Sequence, residues 1–191
     1  MTKELSRDER EILLKTARQA IKNRAKGEKT SRLNLDEYSP IMREKGACFV
    51  TLTIKGVLRG CVGSLEATQP LLMDVQERAI GAAFNDPRFP SLTLAELDSV
   101  QVEISRLTKP EVLEYSSAQD LQEKLRPGID GVILRHQSHR ATFLPQVWEQ
   151  LETPELFLSQ LCLKMGFDSS AWKNTRLLVE IYQAEKFSEG D

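Results

Sequence analysis

Several features that indicate common protein functions are scarce or absent in this sequence of 191 residues. It has no uninterrupted apolar run of about 18 residues, so no membrane-spanning helix is predicted. Its 26 Lys and Arg are outnumbered by 28 Asp and Glu, and this balance argues against a protein held on nucleic acid by a basic excess. Residues 1–10 are polar and lack the apolar segment of a secretory signal, so a cytoplasmic protein is expected.

Residues that bind metals or carry catalysis are also few. The three cysteines, Cys48, Cys61 and Cys162, are far apart and form no Cys-x-x-Cys pair, which predicts reduced thiols. His136 and His139 are the only histidines, and we place them in solvent at a hairpin tip. P-loop, Gly-x-Gly-x-x-Gly, Gly-x-Ser-x-Gly and His-Glu-x-x-His motifs are absent. We therefore predict no metal site and no cofactor.

The hydrophobic spacing predicts an α+β fold. Ser6 and Glu9 form a capping box for a helix over residues 8–24, and Pro70 opens a second helix over residues 70–84. Strict alternation over residues 100–107 predicts a half-buried strand. Because hairpins dominate, we expect a mixed or antiparallel sheet flanked by helices. The length predicts a single domain, with two lobes around a shared cleft as the variant.

The β-branched run from Cys48 to Gly63 predicts a hairpin that turns at Lys55 and Gly56. A three-residue bulged loop, with Gly56 left-handed, gives an aliphatic face (Val50, Leu52, Ile54, Leu58, Val62) and a second face (Thr51, Thr53, Arg59, Cys61). A two-residue loop would instead mix Arg59 and Cys61 with the aliphatic residues. Burying a charge among aliphatic side chains is costly, so we favour the bulged loop.

The densest chemistry lies in the hexapeptide Leu58–Gly63, where Gly60 and Gly63 flank Cys61. A glycine in a strand lets another group approach the backbone closely or marks a bulge. Arg59 lies two residues before Cys61, on the same predicted face, and a guanidinium near a thiol favours the thiolate. The pattern is typical of a reactive thiol or an anion-binding strand. The alternative is a small buried cysteine packed on the sheet.

A second cluster follows the second predicted helix, in the segment Asn85–Pro90. Asp86 can cap a turn, and Arg88 can pair with a carboxylate or an anionic ligand. The alternative interpretation is a rigid helix exit held by the two prolines.

Several uncommon motifs occur together and in an order that resembles the AMMECR domain family. They are LRGCVG at 58–63, DPRF at 86–89, EISRL at 103–107, GIDGVIL at 128–134, TFLPQVW at 142–148, LCLKMGF at 161–167 and the lone Trp172. The resemblance covers about residues 6–187 within a single domain of residues 1–191. The chain is similar to the prokaryotic type called AmmeMemoRadiSam system protein A, with Val62 where isoleucine is usual.

The resemblance implies a two-lobed α+β fold with a β-sheet flanked by helices and a cleft near the hexapeptide. It also implies a pathway shared with Memo-like and radical S-adenosylmethionine (SAM) proteins, whose genes often lie beside those of prokaryotic members. It does not supply a biochemical activity. It does join Arg59, Cys61, Asp86 and Arg88 as one candidate site.

Two functions remain open for this site. In the favoured one, the chain is a ligand- or partner-binding component: Gly60 and Gly63 admit a ligand or peptide, and Arg59 and Arg88 hold its carboxylate or phosphate. In the alternative, Cys61 is the nucleophile or redox thiol of an enzyme, assisted by Arg59. The sequence shows no evident base for Cys61, which favours binding of a partner or of a small anionic ligand.

Overall fold

The computed structural model describes residues 4–30 and 32–190 of the chain. Within that part the fold is α+β, as the sequence predicted, and its strands form two open β-sheets where one sheet was expected. The strand pairs with a defined register are all antiparallel. The helices are α1 (Arg7–Ala25), α2 (Pro40–Arg43), α3 (Leu71–Phe84), α4 (Ala118–Lys124), α5 (Pro154–Met165) and α6 (Ala171–Asn174). The strands are β1 (Lys45–Ile54), β2 (Val57–Gly63), β3 (Gln69–Pro70), β4 (Val100–Leu107), β5 (Glu111–Val112), β6 (Gly131–His136), β7 (His139–Phe143), β8 (Leu178–Tyr182) and β9 (Ala184–Ser188). Short 3-10 helices cover Leu35–Glu37, Leu94–Glu96 and Pro145–Glu149.

The chain divides into two compact units. The first runs up to Thr108 and includes the chain from Glu185 onward, and the second is Lys109–Ala184. All the candidate site residues lie in the first unit. The predicted cleft near the hexapeptide stays a prediction. No helix among the described residues has both the length and the apolar character needed to cross a membrane.

The first unit is built on a sheet with the strand order β2-β1-β4-β9, to which β3 adds by pairing with β1. β2 therefore stands at the end of this order. One side of the sheet carries buried aliphatic residues, among them Val50, Leu52, Val102 and Ile104. These pack with buried residues of α1 and α3 in one core cluster. Burial of this continuous apolar layer is the main favourable term for the unit.

Both predicted helices of this unit are confirmed. The Ser6 hydroxyl accepts a hydrogen bond from the Glu9 main-chain N–H, and the Glu9 carboxylate accepts one from the Ser6 N–H, as a capping box requires. The buried residues of α1 recur at helical spacing, and those of α3 do the same. α3 leads directly into the Asn85–Pro90 segment, so its packing sets where Asp86 and Arg88 lie.

The turn between β1 and β2 differs from the predicted one. Lys55 and Gly56 both have positive φ, 51° and 78°, and Ile54 pairs directly with Val57. These are the features of a two-residue hairpin turn, so the predicted three-residue bulged loop is wrong.

The bulge lies further along, inside β2. The register shifts between the pair Leu52–Gly60 and the pair Thr53–Leu58, which leaves Arg59 as the extra residue. Leu58, paired with Thr53, is therefore on the side opposite the aliphatic face, and its predicted place on that face is wrong.

The bulge keeps the later residues of β2 on the predicted sides of the sheet. Cys61 pairs with Thr51, and Val62 pairs with the buried Val50. A two-residue turn without the bulge would have reversed these sides, because a slip of one residue moves every side chain to the other face.

The second unit has a sheet with the order β5-β8-β6-β7 and a core formed with α4, α5 and α6. Trp148 stacks on Phe157 in this core with ring centroids 3.8 Å apart. His136 and His139 face each other at the end of the β6–β7 hairpin, and both rings meet Phe167 edge-on. His139 is exposed as predicted, whereas His136 is half-buried.

Candidate functional site

The main chain of Cys61 is held by two side chains from the turn that follows α3. The Cys61 N–H donates to Oδ2 of Asp86 at 2.9 Å, and Nη2 of Arg88 donates to the Cys61 carbonyl oxygen at 3.3 Å. We call this arrangement the Cys61 clamp, meaning the Cys61 main chain with the side chains of Asp86 and Arg88. The structure thus brings together three residues that lie up to 27 positions apart in the chain.

Asp86 and Arg88 also form a two-point ion pair with each other. Nε and Nη2 of Arg88 donate to Oδ1 and Oδ2 of Asp86 at 2.9 and 2.7 Å. Asp86 is buried, whereas the Arg88 side chain is 54% exposed. The hydrogen bonds from Arg88 hold the pKa of Asp86 far below its ordinary value, against the opposing effect of burial. Asp86 is therefore a carboxylate at any physiological pH, and it compensates much of the Arg88 charge.

Arg59 forms an ion pair with Glu96 and takes no part in the Cys61 clamp. Its Nε and Nη2 donate to the carboxylate of Glu96 at 2.8 and 3.3 Å, and its side chain is only 12% exposed. Glu96 belongs to the 3-10 helix Leu94–Glu96 and completes a capping box with Thr93. Hydrogen bonds from Arg59 are the main reason that the pKa of Glu96 falls to about 2. The structure places no hydrogen bond between Arg59 and Cys61 among the described residues, so activation of the thiol by Arg59 gains no support from the geometry.

The Cys61 thiol has a partner that was not selected as a site residue from the sequence. Oγ1 of Thr51 donates to Sγ of Cys61 at 3.3 Å. The signal was available in the strand register, which placed Thr51 and Cys61 on the same side of the hairpin. Cys61 is partly exposed, whereas Cys48 and Cys162 are buried. Within the described part of the chain, no carboxylate or imidazole hydrogen-bonds this thiol.

Arg88 is close enough to Cys61 for their charges to interact. Its hydrogen bonds to Asp86 are the main reason that the pKa of Arg88 is raised, and attraction to Cys61 adds to the rise. Arg88 is thus the guanidinium that contacts Cys61, at its main-chain carbonyl oxygen. The sequence predicted Arg59 as the guanidinium beside Cys61.

The close approach predicted at Gly60 and Gly63 is made by the protein itself. A Cβ built on Gly60 would overlap the carbonyl oxygen of Ala82 in α3. A Cβ on Gly63 would overlap the ring of Phe49. Gly81 of α3 reciprocates, since a Cβ there would lie 2.9 Å from Cγ1 of Val62. Gly60 and Gly81 let α3 approach β2, and Gly63 makes room for the Phe49 ring of β1. These contacts within the protein account for the glycines without a bound ligand.

A related cluster lies at the neighbouring strand, and its aspartate was not identified from the sequence. The Cys48 N–H and thiol both donate to Oδ2 of Asp74, at 3.0 and 3.3 Å. Arg78 donates from Nε to the other oxygen of Asp74 at 3.1 Å. We call these three residues the Cys48 site. Burial raises the pKa of Cys48 well above its ordinary value, and the charge of Asp74 adds to the rise.

No metal centre is evident at either cysteine. Over residues 4–30 and 32–190, no group of three or more His, Cys, Asp and Glu side chains is arranged to hold a metal ion. The chemical groups of the candidate site are therefore one partly exposed thiol, one hydroxyl and two guanidinium–carboxylate pairs.

Comparison of the sequence with known proteins identifies a family. The AMMECR1 family model matches residues 14–187 of the chain. A protein of Methanothermobacter thermautotrophicus is 40% identical over 190 residues, covering 97% of this chain and 96% of its own length. Protein MJ0810 of Methanocaldococcus jannaschii is 35% identical over 192 residues, covering 97% and 92%.

A solved structure shares the fold. The crystal structure of the uncharacterized protein PH0010 from Pyrococcus horikoshii matches with a TM-score of 0.83 and 34% sequence identity. The match covers 94% of this chain and 91% of that one.

Proposed function

The chain belongs to the AMMECR1 family, and we propose that it is a binding component whose ligand or partner contacts the surface around Cys61 and Arg88. The pathway would be the one shared with Memo-like and radical SAM proteins. In this proposal the chain carries out no chemical turnover of its own.

The observation that carries the proposal is the difference between the main chain of Cys61, which is held in place, and its side chain, which is accessible. The clamp and the contact with α3 fix its main chain, whereas its thiol hydrogen-bonds only to Thr51 within the described residues and stays partly exposed. A rigid main chain beneath an accessible side chain is suited to recognition, because little conformational entropy is lost on binding. Among residues 4–30 and 32–190 no general base hydrogen-bonds the thiol, and this argues against turnover.

Arg88 is the residue to which we assign contact with an anionic group. Two of its nitrogens bind Asp86, which fixes the plane of the guanidinium, and Nη1 has no hydrogen-bond partner among the described residues. An oriented donor of this kind suits a carboxylate or a phosphate. Arg59 is less suitable because its side chain is largely buried against Glu96.

Direct binding tests the proposal. The purified Memo-like and radical SAM proteins of the same organism would be titrated onto the immobilised chain, and phosphate and succinate would be added in a parallel NMR titration. We expect at least one of these probes to bind and Arg88→Ala to weaken that binding about tenfold. The matched control is Arg43→Ala, an exposed arginine of α2, which should bind like the wild type. Equal binding by both variants, or no response to any of the four probes, would contradict the proposal.

The second candidate function is an enzyme that uses Cys61. It is favoured by the hydroxyl of Thr51, which donates to the sulfur, and by Arg88, which donates to the carbonyl oxygen of the same residue. Alkylation rates of the three cysteines, followed against pH by peptide mass spectrometry on the folded protein, separate the two functions. Fast reaction of Cys61 with a midpoint well below pH 8, together with loss of pathway activity in Cys61→Ser, would favour the enzyme.

A further inference from the structure

The end strand β2 has main-chain groups that point away from the rest of its sheet. Among the described strands it pairs only with β1. The N–H and the carbonyl of Cys61 are both directed to the other side, because they bind Asp86 and Arg88 rather than β1. An outward N–H and carbonyl on an end strand form a template for pairing with another strand.

The Cys61 clamp satisfies these two groups in the way that a neighbouring strand would. Asp86 supplies an acceptor to the N–H at 2.9 Å, and Arg88 supplies a donor to the carbonyl at 3.3 Å. The two side chains are two residues apart and are fixed by their own ion pair. The clamp is therefore ordered before any partner arrives, and a competing strand would have to displace it.

We propose that the clamp closes a latent self-association edge, at which β2 would otherwise pair antiparallel with β2 of a second copy of this chain. The inference goes beyond the proposed binding function, since it concerns what the main chain of Cys61 is kept from doing.

A second copy is the occupant that the chemistry favours. A residue whose N–H and carbonyl both point outward is self-complementary across a two-fold axis, because antiparallel partners exchange both hydrogen bonds. The charges beside this edge are compensated, Arg59 by Glu96 and Arg88 by Asp86, so two edges would not repel.

Opening the clamp tests the inference. Arg88→Ala frees the Cys61 carbonyl, and Asp86→Ala frees both main-chain groups, since it also removes the anchor of Arg88. We expect sedimentation velocity to show a concentration-dependent dimer of Asp86→Ala, at least about tenfold tighter than any self-association of the wild type. Arg88→Ala should give a weaker dimer, because Asp86 still holds the Cys61 N–H. Arg88→Lys, which keeps a donor, should restore part of the monomer.

A disulfide between the Cys61 residues of two copies provides a second test. In antiparallel pairing the two Cα atoms would lie about 5.5 Å apart, which a disulfide can span. Copper-catalysed oxidation should therefore form this disulfide in Arg88→Ala and should not form it when Cys61→Ser is added.

The matched control is Arg78→Ala, which breaks the equivalent ion pair at the buried Cys48 site. It should lower stability and leave the chain monomeric, because no outward main-chain group is exposed. Monomeric Arg88→Ala and Asp86→Ala proteins with wild-type circular dichroism would overturn the inference. So would a dimer of Arg78→Ala as tight as that of Arg88→Ala, since partial unfolding would then be the cause. Loss of ligand binding by a monomeric Arg88→Ala would remove this inference and leave the proposed function standing.

Discussion

Two cysteines on neighbouring strands of one sheet have the same kinds of partner and different access to solvent. In each, the main-chain N–H donates to an aspartate, from Cys48 to Asp74 at 3.0 Å and from Cys61 to Asp86 at 2.9 Å. Each aspartate also accepts hydrogen bonds from an arginine a few residues further along the chain. The Cys48 site and the Cys61 clamp are therefore two versions of one Cys-Asp-Arg arrangement.

The side of the sheet decides what each arrangement can do. The Cys48 thiol points into the core, where burial and Asp74 raise the pKa of Cys48 and keep the thiol neutral. The Cys61 side chain lies on the Thr51 side and stays partly exposed. Residue type and hydrogen-bond partner alone thus do not distinguish a structural cysteine from an accessible one. Position relative to the core and to the edge of the sheet does.

Removing each aspartate should give the largest difference between the two sites. Asp74 is fully buried, so Asp74→Ala leaves the Cys48 N–H and Arg78 without their partner in the core and should cost about 3–5 kcal/mol of unfolding free energy. Asp86→Ala should cost less, about 1–3 kcal/mol, because the exposed Arg88 can be hydrated instead. Urea unfolding at pH 7 measures both. An equal loss in the two variants would show that burial does not separate the sites.

The contact between α3 and β2 at Gly60 lies near the C-terminal end of α3, whereas Asp74 of the Cys48 site is in the first turn of that helix. Gly60→Ala would force a methyl group against the Ala82 carbonyl, which is main chain and cannot rotate away. We expect a loss of about 2–3 kcal/mol in unfolding free energy. The amide chemical shift in the NMR spectrum should also change more at Cys61 than at Cys48. Gly56→Ala is the control, because nothing lies within 4 Å of its Cβ position and only its φ of 78° opposes the change. It should cost about 1 kcal/mol.

The ion pair of Arg59 with Glu96 should make the unfolding free energy depend on pH. Hydrogen bonds from Arg59 lower the pKa of Glu96 from 4.5 to about 2. A carboxyl whose pKa is lower in the folded state stabilises the fold above its unfolded pKa, and this stabilisation is lost as the pH falls through the folded value. Glu96→Gln should therefore be about 1–2 kcal/mol less stable than the wild type at pH 7. The difference should shrink between pH 4.5 and pH 2.

Urea unfolding at several pH values checks this prediction. The control is Glu152→Gln, an exposed glutamate with no side-chain partner among the described residues. A stability difference for Glu96→Gln that stays constant down to pH 2 would contradict the assignment of the ion pair.

Much of the fold followed from local patterns, because helix caps and apolar periodicity are properties of short segments. α1, α3 and β4 were predictable for this reason. The position of the bulge was not predictable. An extra residue in the turn and an extra residue at Arg59 both place Cys61 on one face of the sheet and Val62 on the other. Only the φ values and the pairing of Ile54 with Val57 distinguish the two.

The site was harder to predict than the fold. The motif order grouped Cys61, Asp86 and Arg88, but nothing in their spacing shows that the two side chains bind the Cys61 main chain. The partner of Arg59, Glu96, lies 37 residues away and is positioned by a 3-10 helix that belongs to another part of the chain. Such contacts depend on tertiary packing between distant segments, and the local sequence pattern around each residue does not indicate them.

The smallest expected effect concerns Thr51, which has no counterpart at the Cys48 site. Its hydroxyl donates to the Cys61 sulfur, and a donor of this kind stabilises a thiolate more than a thiol. Thr51→Val removes the hydroxyl with little change in volume, so alkylation of Cys61 at pH 7 should slow about threefold to tenfold. Thr53→Val, on the same side of β1, is the matched control and should leave the rate unchanged. Equal slowing in both variants would mean that strand packing, and not the hydrogen bond, sets the reactivity of Cys61. A slowing confined to Thr51→Val would make the hydroxyl the feature that separates the accessible cysteine from the buried one.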